Sequence, residues 1–387
     1  MKIFLCLIIF AVIISFTAPS LAGDDILARA QICTLMQNAI DRGLIAGGEV
    51  LVGNREGVVF RACLGKVSGT EGALPVEYDT LFDIASLTKV VATAPSIMKL
   101  VEEGRIGLLD PVCKWFPEFA GKGKDDLLVL HLLTHTSGLR DINPSENDSL
   151  EDLIERTASM HLAERPGDRF HYADINFILL GELVRRVSGE RLDVFAADNI
   201  FEPLRMGDTG FNPPPRRFIR CAATLDRDNL SLFGRVQDPT AFQFGGVAGH
   251  AGVFSTAGDL SRFCRMILNG GTLEGRRIME KRIVIQMTIP YFFQNGMIMR
   301  GLGWDISSPF SSPRGSFFSE YSFGHTGYSG SSVWIDPGKN IFVILLTARL
   351  DYKRKSEFNH LRGRLSDIAV CMCGDKGETR DLARKSE

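Results

Sequence analysis

A chain of 387 residues with 45% hydrophobic content can bury a large core, enough for two or three domains or one domain with a large insertion. Charged residues at 23% are ordinary for a globular protein and exclude a mostly disordered one. Lys and Arg (44) against Asp and Glu (46) leave a formal charge of -2, so the basic footprint of a nucleic-acid binder is missing.

Residues 1–22 read as an export address. Lys2 is the only charge, Ile3 to Ile14 is an unbroken apolar run, and Ser20-Leu21-Ala22 is a small-residue cleavage pattern. Twelve helical residues span ~18 Å, short of a ~30 Å hydrocarbon core, so a cleaved signal is favoured over a retained anchor. The expected location is therefore periplasmic or secreted, with no membrane span after cleavage. Of eight Cys, Cys6 falls in this segment. Seven spread through a large chain do not make a disulfide framework, and Cys371-Met372-Cys373 lacks a second ligand pair for a metal. No cofactor is implied.

Residues 24–42 carry helical spacing of Ile26, Leu27, Ala30, Ile32, Leu35 and Ile40. Gly47 to Gly53 and Gly57 to Leu64 read as strands joined by a turn at Asn54-Arg55-Glu56-Gly57. From 108 to 238 helical stretches predominate, broken by turns such as Pro213-Pro214-Pro215. Strand character returns at Ser332 to Ile335, then a turn at Asp336 to Asn340. The six apolar residues from Ile341 to Leu346 predict a strand covered on both faces. Residues 353–370 predict a closing helix, and 374–387, with eight charges, a frayed tail. The simplest architecture is mixed α/β (α+β). An antiparallel sheet is built from both chain ends (23–107 and 239–373), flanked by helices, with an inserted all-helical subdomain at 108–238.

Three local patterns carry chemistry. In Asp83-Ile84-Ala85-Ser86-Leu87-Thr88-Lys89, apolar residues then recur at 87, 90, 91, 94, 97, 98 and 101, which predicts a helix with Ser86 in its first turn. Ser86 and Lys89, three apart, share a face away from the apolar stripe. A Ser hydroxyl becomes a nucleophile when a neighbour takes its proton, and a Lys whose pKa is lowered by burial can do so. In Tyr172-Ala173-Asp174, ahead of an apolar helical run, Asp174 is a natural N-cap and the Tyr172 oxygen a proton shuttle at the helix mouth. His325-Thr326-Gly327, followed by Tyr328, precedes a strand, and its Gly lets a substrate approach the backbone. Taken one at a time, a capping Ser, a capping Asp and a Gly-rich turn are the simpler explanations of these patterns. His131 and His135 have i, i+4 spacing, but Leu132 stands where a zinc protease has Glu, so they read as packing residues. His250 lies in a Gly-rich loop that could border a cleft, and Thr256 with Asp259 predicts a capping box.

S-x-x-K, then Y-x-[N/D], then [K/H]-T-G, in this order, resembles the serine β-lactamase and penicillin-binding-protein family. It is most similar to the branch with class C β-lactamases, esterases and D-stereospecific peptidases. Leu132 to Leu139, Glu202 to Gly207 and Gly245 to Gly252 add to the resemblance, which covers about residues 25–350. It implies that Ser86 is acylated, that Lys89 accepts its proton and that Tyr172 is the second acid or base. It also implies an oxyanion hole from the amides of Ser86 and Tyr328, and substrate pairing along His325, Thr326 and Gly327. Two positions depart. Asp174 stands where class C enzymes have Asn, and His325 replaces a Lys, so its charge is expected to vary with pH. Arg349 is a candidate to supply part of the missing positive charge. These departures favour an esterase or peptidase over a dedicated β-lactamase. The expected partner is a small-molecule or peptide substrate (ester, amide, β-lactam or peptidoglycan peptide). The alternative is a non-catalytic penicillin- or peptidoglycan-peptide-binding protein.

Overall fold

The computed structural model describes residues 21–294, 297–306 and 309–373. Residues 1–20 of the expected signal segment and the expected tail at 374–387 lie outside the described residues. Among the described residues no helix is long and apolar enough to cross a membrane.

Five strands form the main sheet: β1 (Ile45–Gly53), β2 (Val58–Gly65), β3 (Phe323–Thr326), β4 (Ser332–Asp336) and β5 (Ile341–Arg349). Their order is β3-β4-β5-β1-β2, antiparallel throughout, with Val50 opposite Leu345 on one side and Ala62 on the other. The two chain ends therefore meet at the β1–β5 pair in the centre. The β1–β2 turn forms because Asn54 turns its carboxamide oxygen onto the amides of Glu56 and Gly57, both at 3.0 Å.

All nine residues of β5 are buried. Val343 and Leu345 face a core with Ile32 and Met36 of α1 (Leu21–Asp41). Phe358, Leu361 and Leu365 of the closing helix, Lys355–Cys373, complete that core. Phe342, Ile344 and Leu346 face the opposite core. That core holds Val90 and Val91, then Ile97 of α2 (Ala94–Glu102), then Phe177 and Leu180 of α3 (Asp174–Ser188). Alternation along a strand sends neighbours to opposite faces, so six consecutive apolar residues serve two cores at ~1.5–3 kcal/mol per side chain.

The 108–238 block is not helical throughout. Helices at Val129–Leu133, Leu150–Ser159, α3 and Leu192–Ala196 give way to short strands at Gly210–Phe211, Thr224–Leu225 and Ser231–Leu232. The reason is local: Pro213 to Pro215 cannot continue a helix, and Gly210–Phe211 finds partners in Val253–Ser255. Val253–Ser255 pairs on its other edge with Phe82–Asp83, which ties the segment before Ser86 to the Gly-rich loop that ends at Gly252.

Candidate active site

Ser86 follows a constrained turn. Ala85 has φ +47°, a region that a residue with a Cβ enters only when its surroundings hold it there. Asp83 does the holding. Its Oδ1 accepts from the Ala85 amide and its Oδ2 from the Gln237 amide, both at 2.8 Å. Burial raises the Asp83 pKa to about 6, against the pull of those two amides.

The expected regular helix is replaced here by a tight 3-10 turn over Ala85–Leu87, then a wide π turn over Lys89–Thr93, and only then α2. The 3-10 turn ends at Leu87 and the π turn opens at Lys89, so Lys89 lies one turn on from Ser86. Lys89 Nζ donates to Ser86 Oγ at 2.9 Å and to the His250 carbonyl at 3.1 Å, and pairs with Asp174 Oδ1 at 2.7 Å. The side chain is wholly buried. Burial alone would favour the free amine, but the Asp174 carboxylate beside it wins and raises the Lys89 pKa. The lysine is thus held as an ammonium, contrary to the expected lowering.

Tyr172 stands beside Ser86 and Lys89, its ring centroid 5.1 Å from Lys89 Nζ, and its hydroxyl interacts with both side chains. Burial raises its pKa more than the ammonium lowers it. Its ring stacks on His135 with centroids 4.4 Å apart. His135 sits at φ +55°, fully buried, and its Nδ1 accepts from the Ala173 amide at 3.3 Å. Burial, then Arg300 and Lys89, keep this imidazole neutral. Asp174 is not the N-cap. It is the first residue of α3, and Asp141 Oδ1 takes the Ile175 amide at 2.9 Å. The Asp174 carboxylate is therefore free to face Lys89.

The wall opposite comes from β3, the edge strand. Gly324 exchanges both backbone hydrogen bonds with Asp305 at 2.9 Å, so Thr326, two residues on, turns its backbone the same way. Gly327 must be glycine. A Cβ there would lie 2.6 Å from the Ile84 carbonyl and 2.1 Å from Ser331 Oγ. Ser329 and Ser331 donate to the carbonyls of Asp83 and Ile84 at 2.6 and 2.9 Å, zipping this loop to the turn before Ser86. Arg362 donates to the carbonyls of Gly327 and Ser331, both at 2.8 Å, and burial lowers its pKa to about 9.

His325 is 5% exposed, and burial with Arg300 and Lys89 drives its pKa well below the usual value. The expectation of a pH-variable charge is corrected: burial first, then the surrounding cations, disfavours the imidazolium. Arg349 lines the cleft, but donates to the Asp351 carbonyl at 2.9 Å and the Tyr328 carbonyl at 3.2 Å. The cations that act on His325 are Arg300, Lys89 and Arg362. Ser86, Tyr172, Asp174, His325, Thr326, Gly327, Tyr328 and Arg349 all line one open cleft of about 1060 Å³, with Lys89 beneath its floor.

Behind Lys89, His250 Nε2 meets Asp238 Oδ1 at 2.9 Å. Asp174, Asp238 and His250 place ligand-type atoms within 4.8 Å of one another. The cation that answers these charges is the chain's own Lys89. His131 instead accepts from the Leu128 amide at 3.2 Å, and Thr256 caps its helix by accepting from the Asp259 amide at 3.1 Å. The Asp259 carboxylate turns away to the amide of Asp208 and the hydroxyl of Thr209, so the expected box is only half formed.

The profile of the family described as Beta-lactamase matches residues 32–365. The chain belongs to the beta-lactamase family. Among relatives of this beta-lactamase-family chain is a protein named "Putative D-alanyl-D-alanine carboxypeptidase" from Escherichia coli (strain K12), 28% identical over 87% of this chain and 85% of that protein. Another is N-acetylmuramyl-L-alanine amidase of Bacillus subtilis (strain 168), 30% identical over 80% and 79%. The fold is shared with a solved penicillin-binding-protein homologue from Caulobacter crescentus, with TM-score 0.73 at 22% identity over 89% and 97% of the two chains.

Proposed function

We propose that this protein is an exported serine hydrolase that cleaves amide or ester carbonyls through an acyl-enzyme on Ser86. The observation that carries the reading is the contact of Ser86 Oγ with Lys89 Nζ at 2.9 Å, with the Tyr172 hydroxyl beside both on the floor of an open cleft. Ser86 attacks the carbonyl, Lys89 and Tyr172 move its proton, and Tyr172 hands a proton to the leaving group. The amides of Ser86 and Tyr328 receive the developing oxyanion, each such donor being worth ~10²–10³ in rate. Thr326 offers its backbone to an extended substrate, and Arg349 stands where a substrate carboxylate would end.

Two features favour a peptide or ester over a β-lactam: Asp174 in place of a neutral amide, and a neutral His325 in place of a cation. The size of the cleft and the names of the carboxypeptidase and amidase relatives support a peptidoglycan-derived peptide. The apolar run in residues 3–14 supports export. A turnover panel tests the reading: nitrocefin, p-nitrophenyl butyrate, a D-Ala-D-Ala peptide and N-acetylmuramyl-L-alanine, each with wild type and Ser86→Ala. Turnover of an ester or peptide at least tenfold above nitrocefin, lost in Ser86→Ala, is the expected result. Equal rates in both proteins on every substrate would overturn it.

A further inference from the structure

The resting site holds a contradiction. Lys89 must accept a proton from Ser86, yet it is buried as an ammonium whose three donors reach Ser86 Oγ, the His250 carbonyl and Asp174 Oδ1. An ammonium has no lone pair with which to act as a base. The position that would be Asn in the class C pattern is here a carboxylate, 2.7 Å from that nitrogen and not engaged in capping α3.

We propose that Asp174 is a proton-holding residue that acts through Lys89: when substrate fills the cleft, one proton moves from Nζ to Oδ1 and leaves a free amine beside Ser86. The inference rests on the serine-hydrolase reading above and deepens it. The driving term is solvent. The Asp174 side chain lines the cleft and is 36% exposed, with its Oδ1 buried against the sealed Lys89. A bound substrate strips the water that stabilises the carboxylate, and a charge-separated pair loses more by this than a neutral pair does.

The protons balance. The Nζ–H bond breaks and an Oδ1–H bond forms. The free amine then takes the Ser86 hydroxyl proton as Oγ bonds to the substrate carbon and the carbonyl electron pair moves onto oxygen. Collapse breaks the bond to the leaving group, which carries off the Tyr172 hydroxyl proton as the Lys89 ammonium replaces it. The Asp174 proton returns to Lys89, restoring the starting pair. The reserve proton never enters solvent.

The charged and titratable groups facing the pair are Tyr172 from the loop before α3, and His250 and Asp238 from the Gly-rich loop and the segment before it. His325 and His135 stand beyond Tyr172, and both stay neutral. None of them contacts Lys89 with a carboxylate as Asp174 does.

The test is the pH profile of kcat/KM from pH 5.5 to 9.5 for wild type, Asp174→Asn and Asp174→Glu, on the best substrate of the panel. Asn is isosteric and cannot hold the proton, so Lys89 must lose it to solvent. The expected result is a broad plateau for wild type. Asp174→Asn should show a new acidic limb, losing activity tenfold per pH unit and at least tenfold at its acid end, and recovering as pH rises. Asp174→Glu should restore the plateau. Three results would overturn the proposal: an unshifted Asp174→Asn profile within threefold of wild type, a uniform loss without a new limb, or higher activity at every pH. A thermal melt of each variant shows whether the fold is retained. If Ser86→Ala is inactive while Asp174→Asn keeps the wild-type profile, this inference alone fails. If Ser86→Ala is active, the hydrolase reading fails with it.

Discussion

At His325 the position of a charge depends on distant parts of the chain. An imidazole on a strand edge in water would titrate near pH 6.5. Here burial removes its water, and Arg300 and Lys89 already place positive charge around it. The folded state therefore rejects the imidazolium, and no limb of the activity profile should belong to this residue. His325→Gln is expected to shift neither limb of kcat/KM against pH, whatever it does to the plateau height. Loss of a limb between pH 6 and 7 in the variant would show that the ring titrates in the working enzyme. The triplets Ser86-x-x-Lys89, Tyr172-x-Asp174 and His325-Thr326-Gly327 were legible because their spacing is local. Arg300, Arg362 and Asp238 were not. Each is brought to the cleft by tertiary packing, and an isolated acid or cation far along the chain carries no mark of that. His250 had a partial signal in its Gly-rich loop, while its partner Asp238 had none.

At the scale of elements, β1 carries a buried acid in the middle of a hydrophobic strand. Glu49 is 0% exposed and pairs with Arg61 on β2. Burial raises its pKa from 4.5 to about 7, the effect of Arg61 being smaller. Between these values the folded chain binds more protons than the unfolded chain, so stability falls as pH rises through the window. The shift corresponds to about 3 kcal/mol. Melting of the wild type should therefore drop between about pH 4.5 and 7, and Glu49→Gln should show a drop smaller by several degrees. Asp83 contributes a drop of the same sign and is present in both proteins, so the difference isolates Glu49. An unchanged drop in the variant would contradict the assignment. Apolar runs located β1, β4 and β5 because both faces of the sheet are covered there, and the turn at Asn54 located β2. The break of the helix that carries Ser86 into 3-10 and π turns was not legible. Apolar spacing averages over those turns, and the hydrogen bond from the Ala85 amide to Asp83 at their start is not encoded in spacing.

At the scale of the molecule, the cleft lies between the sheet edge at β3 and the helical block that begins α3 at Asp174. The return of strand character after residue 300 indicated one sheet closed by both chain ends, and β1 beside β5 is the physical form of that closure. The depth of the cleft was not legible, since it depends on how Thr224–Leu225 and the loop to Pro239 stand over the site. Everything proposed for activity requires that the Ser86 hydroxyl be both open to a substrate and activated. Intact mass measurement after incubation with a fluorophosphonate tests this most directly. The account predicts a single adduct on the wild type, mapped to the peptide containing Ser86 and absent from Ser86→Ala. An unmodified wild type, or equal labelling of Ser86→Ala, would contradict it.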